Sequence, residues 1–263
     1  MRRNLILIFV GSVLLVSSVI VFSDEEKRLV VGDISVASSA VLQMILSLIV
    51  VYRQKLDGLI GKAYAFLSIG LVLWCIAEIL WTYSEIALGI KDRFPSISDI
   101  FWLAGYGPLI YYIINMYKFF NHVRKSKVIL VFTASIVYLV FIIYFLIQDS
   151  EFSTQDNILI FLISISYLIF DLIFIVPTSL IILDPLKGDL TSIPWIFLSM
   201  LILAIADSMF GYTSVTGVAE ANWIWTPVYT AAYLLMAVGL FWHNRFFVFD
   251  EKRALKDWQK QNR

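Results

Sequence analysis

The sequence is poor in the residue types on which soluble enzymes and redox proteins depend. Only 15% of its 263 residues are charged, and it has one cysteine and two histidines. The lone Cys75 excludes an intramolecular disulfide and a Cys-x-x-Cys site. Phosphate-binding Gly-rich loops and the hydrolase motifs His-Glu-x-x-His and Gly-x-Ser-x-Gly are also missing. The sequence therefore predicts a non-enzymatic protein without a metal or other cofactor, and its zero net charge predicts no nucleic-acid partner.

Apolar residues, by contrast, are abundant. They make up 60% of the chain, and the mean hydropathy is +0.84. A bilayer core needs about 20 apolar residues for each crossing helix, and backbone groups in lipid must satisfy their own hydrogen bonds. The segments of that kind are 4–22, 34–52, 64–88, 99–118, 128–147, 157–183, 193–215 and 222–243. We therefore predict an all-α integral membrane protein with eight transmembrane helices that contacts the lipid bilayer.

The distribution of positive charge predicts the orientation. With the N-terminus inside, most of the 20 Lys and Arg residues fall on the inner side, whereas the predicted outer loops include the acidic stretches 24–26 and 149–151. This bias favours both termini in the cytoplasm of a multi-pass protein of the cytoplasmic membrane. An alternative is a signal peptide cleaved after Ser23, which would leave seven helices. Since the first apolar run exceeds the usual ~7–15 residues of a signal peptide, a retained helix is favoured.

The chain also contains an internal repeat. Residues 76–83 and 205–212 share the pattern Ile-Ala-acid-x-Leu/Met-aromatic-x-Tyr, and residues 99–106 and 226–233 follow them in the same order, with aromatics four apart. Four helices for each copy give parallel repeats related by a pseudo-twofold axis along the membrane normal. The prediction is one transmembrane domain over 1–245, built as a 4+4 bundle from repeats at about 1–120 and 127–245. An amphipathic cytoplasmic tail follows at 246–263.

Carboxyl groups inside the apolar segments are the candidate functional residues. An ionisable group there costs about 2.5–3.5 kcal/mol on insertion scales, which makes each one a functional hypothesis. The four are Glu78, Glu85, Asp171 and Asp207. The repeat places Glu78 and Asp207 at similar depth in the outer half of the bilayer, whereas Asp171 lies deeper and is a possible relay. Hydrogen bonds that fix helix packing, a ligand cavity and a proton path all remain open.

Aromatic neighbours suggest partners for these acids. Tyr106 is placed to reach Glu78, and Tyr229 or Tyr233 to reach Asp207. Trp81 and Trp102 are predicted to line a pocket, while Asp99 is expected to form a capping box with Ser96. The predicted ligand site is an outer-facing cavity between the two repeats, which comprises Glu78, Trp81, Glu85, Trp102, Tyr106, Asp207, Tyr229 and Tyr233.

Several short motifs resemble a known membrane region. The loop 95–99, the run 101–106 and the segment 167–172 are similar to the multi-helix sensory region at the N-termini of bacterial diguanylate cyclases and histidine kinases. That resemblance implies a sensor of an unidentified small molecule, coupled to a cytosolic output domain. Here 250–263 are all that follow Phe249, so a separate cytosolic signalling partner would receive the signal. The alternative is a small transporter or channel component that uses its intramembrane carboxylates.

Overall fold

All eight predicted segments are helices in the computed structural model. It describes residues 2–56, 58–90, 94–117, 125–149, 155–183, 193–215 and 224–248. The helices are α1 (Arg2–Phe22), α2 (Glu25–Gln54), α3 (Gly58–Ile86), α4 (Ile97–Tyr117), α5 (Lys125–Asp149), α6 (Gln155–Leu183), α7 (Ile193–Val215) and α8 (Thr226–Trp242), followed by a π-helical turn at His243–Val248. No strand occurs in these ranges, which confirms the all-α class. Most of the predicted tail, 249–263, lies outside the described residues.

Six of the helices are long and apolar enough to cross a membrane. They are α2 to α7, whose apolar stretches are 21 to 29 residues long. At 1.5 Å per residue, 21 residues span roughly the ~30 Å of a hydrocarbon core. Outward-facing large apolar side chains cover the bundle, and on α5 they include Ile129, Leu130, Val137 and Phe141. Because such a surface is stable against lipid rather than water, the chain is a polytopic membrane protein.

Six helices form a closed ring. Neighbouring contacts run from α2 to α3, α4, α6, α7 and α8, and from α8 back to α2. The remaining two lie outside this ring: α1 packs on α2 and α8, and α5 packs on α6 and α7. The ring encloses the main apolar core, to which all six of its helices contribute buried side chains. Side chains that point into the ring can therefore meet across the two halves of the sequence.

Small residues let the consecutive helices of each hairpin approach closely. A Cβ added to Gly70 would lie 3.1 Å from the carbonyl oxygen of Gly105, so α3 and α4 are nearly in backbone contact there. Where α7 meets α8, the Ser199 hydroxyl donates to the carbonyl of Ala232 at 2.7 Å. Close backbone approach at small residues is a common way in which helices associate in lipid. Lipid tails are as apolar as the helix surfaces, so no hydrophobic force drives the helices together.

Candidate functional site

The carboxyl of Glu78 is held by two donors from different helices. Its Oε1 accepts hydrogen bonds from Trp102 Nε1 of α4 at 3.2 Å and from the Tyr233 hydroxyl of α8 at 2.5 Å. The glutamate is 6% exposed. Trp102 is in turn tied to α3, because Trp74 Nε1 donates to its backbone carbonyl at 2.9 Å. Glu78 thus joins α3 and α4 to a helix from the other end of the sequence.

Asp207 on α7 has a corresponding pair of donors. Its Oδ1 accepts from the Tyr229 hydroxyl of α8 at 2.7 Å, and its Oδ2 accepts from the Tyr106 hydroxyl of α4 at 3.1 Å. Asp207 and Tyr229 are partly exposed, whereas Tyr106 is buried. The second acid is therefore also bonded once within its own half and once across to the other.

These bonds correct one predicted pairing. The prediction that Tyr106 reaches Glu78 is wrong: Tyr106 bonds Asp207, and Tyr233 bonds Glu78. The cause is the ring, in which Tyr106 of α4 and Tyr233 of α8 point across the interior and not back to the preceding helix. The alternative pairing of Tyr229 with Asp207 is confirmed.

Asp171 on α6 adds a third acid to the network. Its Oδ1 lies 2.7 Å from the same Tyr106 hydroxyl that contacts Asp207. The residue is 1% exposed, and its Oδ2 has no hydrogen-bond partner among the described residues. Ser164 and Thr178, seven residues before and after it, are equally buried, and their hydroxyls also lack described partners. Since positions seven apart share a helix face, α6 carries a buried polar stripe.

Asp99 lies in the first turn of α4 and has a structural explanation. The Ser96 amide donates to Asp99 Oδ2 at 2.5 Å, and the Ser98 amide donates to the Ser96 hydroxyl at 3.2 Å. The bond from the Ser96 amide to Asp99 is one half of the predicted capping box, whereas the Ser96 hydroxyl caps the amide of Ser98 in place of that of Asp99. A partner that the sequence did not suggest is Tyr167 of α6, whose hydroxyl donates to Asp99 Oδ1 at 2.7 Å. The i, i+4 spacing of Tyr167 and Asp171 was the available signal that both face the site.

A pocket of about 350 Å³ opens at the end of the α3–α4 hairpin. Its lining residues are Trp81, Ser84, Glu85, Leu88, Ile90, Pro95, Ser96 and Ile97. Two of the predicted ligand-site residues, Trp81 and Glu85, therefore line it, whereas Glu78 and Asp207 belong to the network beside it. The sequence did not reveal the other lining residues, because they come from around the end of α3 and the start of α4 and are brought together only in the folded chain.

Trp81 connects this pocket to the network. Its ring centroid lies 5.7 Å from that of Trp102, the donor to Glu78, and 5.9 Å from that of Phe210 on α7. Both distances are within the range of favourable aromatic pairs. A side chain of the pocket wall thus touches the two halves of the ring at the level of their acids.

The histidine at the opposite end of α8 belongs to a packing cluster. His243 Nδ1 lies 3.1 Å from the Tyr64 hydroxyl, and Nε2 lies 3.0 Å from Gln54 Oε1. Its ring also stacks on Tyr64 with centroids 4.1 Å apart. In the described part of the chain, no three His, Cys, Asp or Glu side chains are grouped as metal ligands would be.

Known proteins provide no match from which a role could be transferred. No protein-family model matches the chain, and no curated protein and no solved structure is significantly similar to it. The resemblance to bacterial sensory membrane regions therefore stays a prediction, and the function has to be inferred from the residues of the site.

Proposed function

We propose that this chain is a sensor-like, non-enzymatic protein of the cytoplasmic membrane that binds a small molecule in the α3–α4 pocket. The observation that carries the proposal is the contact path from the pocket to the bonds between the two halves. A ligand that moves Trp81 would disturb Trp102, and Trp102 donates to the carboxyl of Glu78. Glu78 is bonded across the ring to Tyr233. Binding in one hairpin would therefore alter the packing of α8, at the other end of the sequence.

The lining of the pocket suits a small, mainly apolar ligand. Leucine, isoleucine, proline and tryptophan form most of the wall, Ser84 and Ser96 supply hydroxyl groups, and Glu85 supplies a carboxyl group. A volume near 350 Å³ is at the lower end of the ~300–1,000 Å³ that ligand sites occupy. Few polar groups in an apolar wall are typical of sites that fix the orientation of a ligand.

The proposal includes two parallel four-helix repeats with both termini in the cytoplasm. The crossed bonds support it, because Trp102 and Tyr229 are aligned in the repeat, as are Tyr106 and Tyr233. Each acid takes one donor from each of these aligned pairs. The ring order supports it too, since exchanging α2, α3 and α4 for α6, α7 and α8 leaves that order unchanged. In this orientation the pocket faces outward, and a separate cytosolic protein would read the change at the inner ends.

Thiol labelling tests the outward pocket. In a Cys75→Ser background, Ser84→Cys places a thiol in the pocket wall. We expect a membrane-impermeant maleimide to label this thiol on intact cells. Replacing Trp81 by a smaller residue should change the rate of labelling. Ser68→Cys is the matched control, because Ser68 is 3% exposed within α3 and should not react. Labelling of Ser84→Cys only after the cells are opened would overturn the outward-facing site.

A small-molecule screen tests binding itself. Purified protein in nanodiscs would be screened by thermal shift against a library of compounds that fit the pocket. Compounds that raise Tm should lose their effect in Trp81→Ala and keep it in Tyr83→Ala, since Tyr83 is 57% exposed on the outside of the same helix. Equal loss in both variants, or no stabilising compound at all, would count against a ligand site here.

The second candidate function is transport, and the polar stripe of α6 favours it. Ser164, Asp171 and Thr178 extend along the helix on one face, as a path across the bilayer would require. Proteoliposomes that contain a pH-sensitive dye would show proton flux under an imposed gradient. Flux that falls in Glu78→Gln and Asp171→Asn would establish this candidate over sensing. Its absence in the wild type would reject proton transport.

A further inference from the structure

The Tyr106 hydroxyl lies between two carboxyl groups but has one hydrogen to donate. It is 2.7 Å from Asp171 Oδ1 and 3.1 Å from Asp207 Oδ2. A tyrosine hydroxyl can donate one hydrogen bond and accept others. If both carboxyls were ionised, one carboxylate oxygen would face a lone pair of the hydroxyl with no hydrogen between them. The geometry therefore requires one proton more than the tyrosine itself supplies.

Hydrogen-bond satisfaction indicates which acid holds that proton. Asp207 accepts from Tyr229 at one oxygen and from Tyr106 at the other, as an ionised carboxylate does. Asp171 has one described contact, and its Oδ2 is buried without a partner. An unpartnered carbonyl oxygen of a neutral acid costs far less in a buried site than an unpartnered oxygen of a carboxylate. If Asp171 Oδ1 carries the proton and donates it to Tyr106 Oη, the tyrosine can donate its own hydrogen to Asp207. Both contacts of the Tyr106 hydroxyl are then hydrogen bonds.

The exposed fractions of the three residues differ from one end of this hydrogen-bonded group to the other. Asp171 and Tyr106 are each 1% exposed, whereas Asp207 is partly exposed. The hydrogen-bonded order Asp207–Tyr106–Asp171 thus runs from an accessible acid to a buried one. We propose that Asp171 is a proton-binding site, loaded from Asp207 through the Tyr106 hydroxyl. This inference goes beyond the sensing function and does not depend on the α3–α4 pocket.

The transfer balances without any further reactant. A protonated Asp207 gives its proton to Tyr106 Oη while the original hydroxyl proton of Tyr106 passes to Asp171 Oδ1. The tyrosine is unchanged, Asp207 becomes a carboxylate, and Asp171 becomes a neutral acid. Loss of the proton would leave two carboxylates around one hydroxyl, and their repulsion would separate α6 from α4 and α7.

Among the described residues, the titratable groups found to act on these two acids are themselves acids or tyrosines. Around Asp171 they are Tyr106 of α4, Tyr138 of α5, Tyr167 of α6 and Asp207 of α7. Around Asp207 they also include Tyr229 and Tyr233 of α8 and Glu78 of α3. Neighbours of this kind oppose a second negative charge, so the network has a reason to keep one proton.

Infrared spectroscopy of reconstituted protein tests the proton directly. Protein carrying aspartate labelled with ¹³C at the side-chain carboxyl should show a protonated C=O band that shifts with the label, which separates Asp from Glu. We expect the Asp171 band to vanish in Asp171→Asn and to lose its isotope shift in Asp171→Glu, where the acid is no longer aspartate. No labelled protonated band in the wild type, or a band that survives both substitutions, would overturn the proposal.

Exchange kinetics test the route through Tyr106. After transfer to D₂O, the Asp171 band should exchange at least tenfold more slowly in Tyr106→Phe than in the wild type. Tyr233→Phe is the matched control, because it removes the same hydroxyl from the Glu78 side and should leave this rate unchanged. Equal rates in wild type and Tyr106→Phe would reject Tyr106 as the link. A helix-packing role alone would change stability without this difference between the two tyrosines.

Discussion

Glu78 and Asp207 occupy corresponding places in the two halves of the ring, but their surroundings differ in one respect. Each accepts one hydrogen bond from its own half and one from the other. The donor that Asp207 takes from the other half, Tyr106, is shared with Asp171, whereas no second carboxyl contact is found for Tyr233 among the described residues. In α2, which corresponds to α6 in the predicted repeat, the fully buried polar residue is the amide of Gln43.

This difference distinguishes two roles of carboxyl groups within a bilayer. The paired hydrogen bonds of Glu78 and Asp207 hold the two halves together. A permanently charged acid in either half could accept such bonds. Asp171 adds an ionisable group that these paired bonds do not need, at the hydroxyl that also contacts Asp207. The two halves of the ring therefore differ here, because α6 carries a carboxyl and α2 carries the neutral amide of Gln43.

Removal of the two acids is the most direct way to break the comparison. Glu78→Ala strands both of its donors, while Asp207→Ala strands Tyr229 but leaves Tyr106 bonded to Asp171. Intramembrane hydrogen bonds contribute about 0.6 kcal/mol on average and up to about 1.7. We therefore expect losses of about 2–3 kcal/mol for Glu78→Ala and about 1–2 for Asp207→Ala, measured by unfolding in bicelles.

Ile79→Ala serves as the control for these variants, since Ile79 is 48% exposed beside Glu78 and its loss should change stability little. If Asp207→Ala proved the more damaging of the two, Asp171 would not be compensating for the lost acceptor.

Helix packing gives a second, smaller test. A Cβ at Gly105 would lie 2.5 Å from Cδ1 of Trp74 and displace the indole that bonds Trp102. The aligned residue of the second half is Ala232, which the α7–α8 contact accommodates. Overpacking typically costs about 1–3 kcal/mol, so Gly105→Ala should lower stability by about 1–2 kcal/mol and shift the tryptophan emission.

The matched substitution is Gly107→Ala, two residues along the same helix, where no atom lies within 4 Å of an added Cβ. It should stabilise α4 by up to ~1 kcal/mol, as alanine does in place of glycine. Similar losses for both variants would show that α4 packs differently from the arrangement described.

The smallest expected effect concerns Gln43. Its side chain is 0% exposed, and neither Nε2 nor Oε1 has a described partner. Because an unsatisfied buried polar group is unfavourable, Gln43→Leu should be neutral or raise stability by up to ~1 kcal/mol. Asp171→Leu, in α6, should destabilise because Tyr106 loses one of its two hydrogen-bonded carboxyl partners. A clear loss in Gln43→Leu would mean that this amide also serves a bound group.

The helices were predictable from the sequence, for a simple reason. Runs of about 20 apolar residues leave the backbone no alternative to helix in lipid. Glu78 and Asp207 could be matched to each other because the predicted repeat consists of short segments of similar sequence. The capping box at Ser96 and Asp99 involves residues three apart and was equally visible.

The donors of the acids could not be predicted in the same way. Whether Tyr106 meets Glu78 or Asp207 depends on how α4 and α8 face each other across the ring, and no short segment encodes that. The same holds for Asp171, which is seven helical residues from any other polar member of its stripe and, among the described residues, is hydrogen-bonded to the network through Tyr106. The pocket depends on Leu88 and Ile90 lying beside Pro95, Ser96 and Ile97.

The indole of Trp102 also makes the state of Glu78 visible to spectroscopy. Its Nε1 proton is bonded to the carboxyl oxygen at 3.2 Å. The strength of that bond follows the charge of the acceptor, since bonds to ionised groups are about twice as strong as neutral ones. A fluorine atom on this ring would therefore report, through its resonance frequency, whether the acid is charged or neutral. Trp102 is therefore a position at which a spectroscopic label would report on the contact between the two halves.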